Sequence, residues 1–319
     1  MVNEKWILLQ PTYHNGVQIV RDLKYSIDPF VVTSNYFQCP LYNIQDHSIP
    51  LNADVYWLVH FSINDLQKEI DFVKKVKELE KKTFLTFSHD LRFYVGDGLL
   101  NSEGTLWTEL CKEVDGIGAG VADDLKIFGR YQDKVIPFGD ILLPVNFYKP
   151  YENRSIDVLV SGPPGEQFLS FSLETLLLIK EKFPNKRIVC LVQKHHANLI
   201  QKLRIKYPEI EFPLEDVQPL LHYMKDTKVY FNAELRPRPG RAMMEAFYCR
   251  TPFICCSSTY FSRLCKEYAY DKMSIVDIVD TYGKLLQDNF EDIKKRMEER
   301  AEFDYFKPIY NRVKKQIGI

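Results

Sequence analysis

The sequence has no Cys-x-x-Cys pair, and its seven cysteines (39, 111, 190, 249, 255, 256 and 265) are odd in number. A zinc site and a complete disulfide framework are therefore disfavoured, and a reducing cytoplasm is the expected compartment. No apolar run approaches the length of a membrane span, and the stretch after Met1-Val2-Asn3-Glu4-Lys5 is too short for a signal peptide. Peripheral contact with a membrane stays open. An excess of one charge is also missing, since 42 Lys and Arg stand against 43 Asp and Glu for a net charge of −1. Proteins that grip nucleic-acid backbone are usually basic, so that role is disfavoured, although a local patch survives such averaging. There is no internal repeat and no low-complexity tract.

What is present is an ordinary globular balance, with 45% hydrophobic and 27% charged residues over 319 positions, a length that suggests two domains. The 21 Phe and 19 Tyr suit a packed interior or a ligand cleft. Short apolar runs alternate with amphipathic ones. Strands are expected at Trp6–Leu9, after Asp28-Pro29 at 30–33, at Asp54–Val59 and at Phe84–Phe87. Between the last two, Leu66, Ile70, Val73, Val76 and Leu79 recur at helical spacing. A helix over 64–82 is expected, capped by Asn64 or Ser62 and closed by Lys81 and Lys82. Residues 143–154 hold two prolines and no clean period, and read as a linker. The alternation then restarts, with strands at 156–160, 187–192, 229–231 and 252–256 and helices at 172–182, 195–207, 219–224 and 242–248. A largely helical, charged tail covers 276–317. Strands separated by helices imply βαβ units and parallel sheets. Two such α/β halves predict a ligand cleft facing strand carboxyl ends.

The most informative segment runs from Phe231 to Ile254. A strand ends, an Arg- and Pro-rich loop follows, then Gly240, a helix carrying Glu245, and Thr251-Pro252 before another strand. A glycine at a helix N-terminus lets backbone N–H groups approach an anion that the helix dipole also favours. Arg236, Arg238 and Arg241 add planar donors suited to phosphate, and Glu245 can accept from a ribose diol. The bland alternative, a solvated basic loop with a helix-surface glutamate, stands beside that reading. Several other features read as structural. His195-His196 lacks an acidic or thiol partner at ligand spacing, and the Lys74/Lys75/Lys77/Lys81/Lys82 cluster is interleaved with Glu78 and Glu80 like a solvated face. Cys255-Cys256 reads as core. Asn15-Gly16 is either a turn or a backbone cradle for phosphate. Ser257 and Ser258 follow a strand's carboxyl end, where their hydroxyls can face a ligand.

The Gly240–Pro252 block resembles the signature of the retaining GT-B glycosyltransferases of family 4. There an E-G-F-G loop leads into a helix with the pattern L-x-E-A-x-A-x-G-T-P, on which Gly240, Glu245, Ala246, Thr251 and Pro252 fall. Val114–Leu125 followed by Lys134–Gly139 resembles the family's "A-D-x-I-x-x-x-S…L" and "V-I-P-N-G" segments. Ser88-His89-Asp90-Leu91 resembles its His-Asp after an N-domain strand, and Asn15-Gly16-Val17 its shortened glycine-rich loop. Residues 303–317 resemble the closing helix that crosses back onto the N-domain. Two features depart from the pattern. The first of the family's paired glutamates falls on Pro237, with Glu234 three residues earlier, and the run Ser161-Gly162-Pro163-Pro164-Gly165-Glu166-Gln167 carries neither the Arg nor the Lys of the donor-diphosphate site.

The resemblance implies a GT-B fold of two Rossmann-like α/β domains whose parallel sheets face a central cleft. The expected parts are an acceptor-side domain at 1–143, a donor-nucleotide domain at 144–300 and a returning helix at 301–319. It implies transfer of a sugar, hexosyl or pentosyl, from a nucleotide diphospho-sugar to a glycan, lipid or other hydroxyl with retention of configuration, without an obligatory metal or other cofactor. His89 and Asp90 fall at the catalytic position near sugar and acceptor. Gly16, Gly162, Arg236, Arg238, Gly240, Arg241, Glu245, Ser257 and Ser258 are the expected donor-binding residues. Open beside this are a non-catalytic nucleotide or glycan binder, favoured by the two departures, a viral-type enzyme glycosylating modified DNA bases, and, more remotely, a sugar-nucleotide epimerase.

Overall fold

The computed structural model of the chain describes residues 6–10, 39–44, 48–60, 66–87, 102–119, 129–137, 147–161, 166–192, 197–213, 220–233, 241–271, 274–305 and 307–318. The strand expected at 30–33 lies outside these residues. The fold separates into two compact units, one formed by Met1–Leu143 with Tyr305–Ile319 and the other by Pro144–Asp304.

Among the described residues of the first unit six strands form one parallel sheet: β1 (Trp6–Gln10), β2 (Leu41–Asn43), β3 (Val55–His60), β4 (Lys82–Phe87), β5 (Gly116–Ala119) and β6 (Val135–Pro137), in the order β2-β1-β3-β4-β5-β6. Helices α1 (Leu66–Glu78) and α2 (Ser102–Glu113) pack together on one face. Alternate residues of β3 supply its two sides. Tyr56 and Leu58 join Leu66, Ile70, Val73, Val76 and Leu110 in the core beneath those helices. Trp57 turns to the other face, where its indole donates to Thr86 Oγ1 at 2.8 Å and its ring meets those of Trp6 and Phe84 edge-on at 6.3 and 5.5 Å. Burial on both faces is why β3 reads as an unbroken apolar run.

Helix α1 stops earlier than its periodicity suggests. Glu80 takes a left-handed φ of 56°, the Lys81 amide donates back to Val76 O at 3.0 Å and the Glu80 amide to Lys77 O at 2.8 Å. This pair of bonds is a Schellman closure, so Lys81 lies beyond the helix and Lys82 already belongs to β4.

The second unit has a parallel sheet of β7 (Ile156–Ser161), β8 (Ile188–Leu191), β9 (Thr227–Phe231), β10 (Phe253–Cys256) and β11 (Ala269–Tyr270), in the order β11-β10-β9-β7-β8. Its helices are α3 (Glu166–Lys182), α4 (Ala197–Lys206), α5 (Leu220–Lys225), α6 (Arg241–Tyr248), α7 (Ile275–Leu285) and α8 (Phe290–Tyr305). The residues before β7 are bound into this unit. The Phe147 amide donates to Tyr248 O at 2.9 Å, and the buried Arg154 guanidinium donates to the carbonyls of Lys149, Thr227 and Cys249 and to Thr251 Oγ1 at 2.7–2.9 Å. A cation at the carboxyl end of α6 also suits the helix dipole. The last helix, α9 (Lys307–Ile317), packs on β4, β5 and β6 of the first unit. Gly116 allows that approach, since a Cβ there would lie 3.0 Å from Ile317 Cγ2.

Candidate functional site

Chain order within each sheet marks where a ligand is expected. In the first unit β1 leads to β2 on one side and the chain returns to β3 on the other. In the second unit β7 leads to β8 and the chain returns to β9. Open parallel sheets take ligands outside the strand carboxyl ends at such reversals, here β1/β3 and β7/β9.

At the β7/β9 reversal the strand ends are joined by the Tyr230 hydroxyl, 2.6 Å from Ser161 Oγ, and the Tyr270 hydroxyl donates to Asn232 O at 3.1 Å. Gly162 follows β7 directly, and Arg236, Arg238 and Gly240 follow β9; all four lie outside the described residues. Arg241 opens α6, and its side chain also lies outside them. Glu245, one turn further, is 3% exposed in a stretch buried from Met243 through Arg250. The reading of Glu245 as a solvent-facing helix glutamate is thereby excluded. Its charge is felt one turn on, where burial first and then Glu245 push the Cys249 thiol up to about 12. Taking a carboxylate out of water costs several kcal/mol before compensation, so a glutamate here is unusual for a helix serving only as core.

Ser257 and Ser258 follow β10 on the same carboxyl edge, one strand beyond the reversal, and both are exposed. Ser257 Oγ donates to Asp271, and its amide donates to Tyr270 O at 2.8 Å. Ser258 Oγ sits 3.1 Å from Cys256 Sγ. Thr251 and Pro252 lie at the opposite, amino end of β10, where Arg154 holds the threonine. The Gly240–Pro252 block is thus divided along α6. Its beginning belongs to the ligand edge, while its Thr-Pro end is a structural joint. Arg250 occupies the pattern's glycine position with a φ of 54°, and ion-pairs with Glu298 at 2.6 Å.

In the first unit Gly16 follows β1, and His89 and Asp90 follow β4; all three lie outside the described residues. Sequence reasoning missed a different pair at this edge. His60 ends β3 and Glu69 lies in the first turn of α1, with His60 Nδ1 2.7 Å from Glu69 Oε2. The Trp107 ring of α2 lies 5.6 Å from the imidazole. The available signal was a histidine closing an apolar run ahead of an acid early in the next helix.

The lysine cluster is largely paired: Lys74 with Glu109, Lys77 with Glu113 at 3.0 Å, Lys81 with Asp54 at 3.7 Å and Lys82 with Asp115 at 3.8 Å. All seven cysteines are buried free thiols. Burial raises Cys39 to about 11 and Cys111, Cys190 and Cys255 to about 12, which leaves these thiols protonated and unreactive at neutral pH. Residues 195–196 lie outside the described residues. Among the described residues no three His, Cys, Asp or Glu side chains gather as a metal site, and no helix is long and apolar enough to cross a membrane.

No protein-family model matches the sequence, and no curated protein does. Solved structures do match the fold. TarM superposes with a TM-score of 0.62 at 13% identity, over 83% of this chain and 55% of TarM. An alpha-glucosyltransferase in complex with UDP-glucose and DNA containing an abasic site superposes with a TM-score of 0.58 at 10% identity, over 97% of this chain and 99% of that one. The pneumococcal O-GlcNAc transferase GtfA, in complex with UDP and GlcNAc, gives 0.57 at 11% identity, over 82% of this chain and 56% of GtfA. The fold is GT-B. Its two Rossmann-like units are shared with these glycosyltransferases, while the chain spans little more than half the length of TarM or GtfA.

Proposed function

We propose that the protein is a glycosyltransferase that moves a sugar from a nucleotide diphospho-sugar to an acceptor hydroxyl with retention of configuration. The observation that carries this reading is the burial of Glu245 one turn into the helix that follows the β7/β9 reversal. The GT-B fold, shared with enzymes solved with UDP or UDP-glucose, supports it. In this reading Glu245 accepts from the ribose diol. The start of α6 at Gly240 and Arg241, with Arg236, Arg238 and Gly162, faces the diphosphate. Gly16, which follows β1 in the sequence, belongs to the same donor-binding set, and Ser257 and Ser258 meet the donor sugar or phosphates. His89 and Asp90 lie at the reacting centre and orient sugar and acceptor. Negative charge grows on the departing diphosphate, so donors aimed at it supply most of the rate, each worth about 10²–10³-fold. The step as read uses neither a protein nucleophile nor a metal ion. Residues 1–143 serve the acceptor and 144–300 the donor.

Nucleotide release from a panel of sugar nucleotides tests the reading. Turnover of at least one donor is expected, and Glu245→Ala weakens calorimetric binding of that donor at least about tenfold with the thermal midpoint retained. Unchanged affinity removes Glu245 from the site. Binding without turnover, across glycan, lipid and duplex-DNA acceptors, favours the non-catalytic binder, which the proline at position 237 and the cation-free 161–167 run already support.

A further inference from the structure

We propose that His60 and Glu69 are a positioning pair that sets the carboxyl end of β3 and, through the last rung of the β3–β4 ladder, the end of β4 at Phe87, from which the sequence runs on to His89. The inference rests on the reading of the protein as a glycosyltransferase. His60 is 0% and Glu69 2% exposed, and their sequence neighbours Leu58, Leu66 and Ile70 belong to the hydrophobic core. Removing two ionisable groups from water costs several kcal/mol each, and hydrophobic replacements of similar volume often match or exceed a buried pair in stability. Stability alone therefore does not call for these residues. Direction does, because a hydrogen bond fixes distance and angle where apolar packing tolerates sliding. The first turn of α1 suits a carboxylate by its dipole. Carboxylate acceptance at Nδ1 holds the imidazole in one orientation, and Trp107 of α2 bounds the ring. The end of β3 is thus tied to α1 by a directional bond and bounded by α2.

What that end controls follows from register. His60 pairs with Phe87 in the final rung between β3 and β4. His89 stands two residues beyond Phe87. On the other side Leu9 pairs with Leu58, so β1 ends beside the same stretch before the segment bearing Gly16. A displacement of about 1 Å at a reacting group can cost on the order of 10²-fold in rate, and a β3 end free to slide would supply it. Nucleotide affinity, assigned mainly to the second unit, is expected to be nearly insensitive.

The experiment compares wild type with the double variant His60→Phe/Glu69→Leu and with the single variants Glu69→Met and Glu69→Gln, measuring thermal midpoint, UDP affinity by calorimetry, and kcat and KM for the donor that wild type turns over. Expected are a midpoint for the double variant at or above wild type, UDP affinity within about twofold, and kcat lowered at least about tenfold. Gln keeps an acceptor for Nδ1–H, so it recovers most of the kcat that Met loses. A folded double variant with wild-type kcat overturns the pair's positioning role and leaves the glycosyltransferase reading standing. If the double variant does not fold, equal kcat for the Met and Gln variants, per folded molecule, overturns it. A wild type that turns over no sugar nucleotide overturns the broader reading, and the positioning role with it.

Discussion

Single side chains here are held by competition between burial and partners, and Asp157 is the clearest instance. Burial alone pushes its pKa up, but the Arg187 amide at 2.9 Å and Lys228 Nζ at 3.0 Å, with Lys186 Nζ at 3.6 Å, outweigh it and hold the carboxyl below its ordinary 3.8. A carboxylate whose native pKa is depressed adds stability that is complete above the unfolded pKa and is lost as pH falls through the native value. Asp157→Asn is therefore expected to lower stability near neutral pH, with a deficit that shrinks below about pH 4. Urea melts at about pH 6 and about pH 3 check this; a deficit constant across that range contradicts the assignment. Glu245 was legible as a candidate from its place after Gly240, but not its burial, which depends on what covers α6. The His60–Glu69 pair left only a faint trace, a histidine closing an apolar run ahead of an early helix acid, because neither residue identifies its partner until β3 and α1 are packed.

At the scale of elements, the strongly periodic segments were the readable ones. The apolar spacing of α1 and the unbroken run of β3 announce themselves, while the limit of α1 does not, because the stop is made by Glu80 in a conformation that glycine usually supplies. Glu80 is exposed, and a left-handed φ costs a residue bearing a Cβ about 1 kcal/mol or more. Glu80→Gly should stabilise the protein by about 0.5–1 kcal/mol, visible as a higher urea midpoint at unchanged slope. A loss of stability would show that the closure depends on the glutamate itself. Elements missed from sequence are short or weakly patterned. β2 has three residues, β5 is Gly-Ile-Gly-Ala, and α2 carries Gly104 within a mixed first turn. The Thr251-Pro252 end of the block looked like part of a binding signature, yet its threonine serves the Arg154 joint at the other end of α6.

For the whole molecule, the alternation of apolar and amphipathic runs carried the α/β class, since parallel strands need intervening crossovers. Strand order and the two chain reversals emerged only with the pairing itself. Unit composition has its own test at Gly116, where an added side chain meets Ile317 Cγ2 at 3.0 Å and Phe84 Cδ2 at 3.1 Å. Gly116→Val should cost about 1–3 kcal/mol and make residues 307–317 cleavable under mild proteolysis while the second unit stays protected. Wild-type resistance in that segment would mean that α9 does not depend on this contact. The placement of α9 also bears on biogenesis. Domains tend to fold as they emerge, but the surface of β4, β5 and β6 that α9 covers stays bare until residues 307–317 have cleared the ribosome, after all of Pro144–Asp304 has been made. The half translated first is the half finished last, and a nascent chain stalled midway presents an unsealed sheet to the chaperones around it.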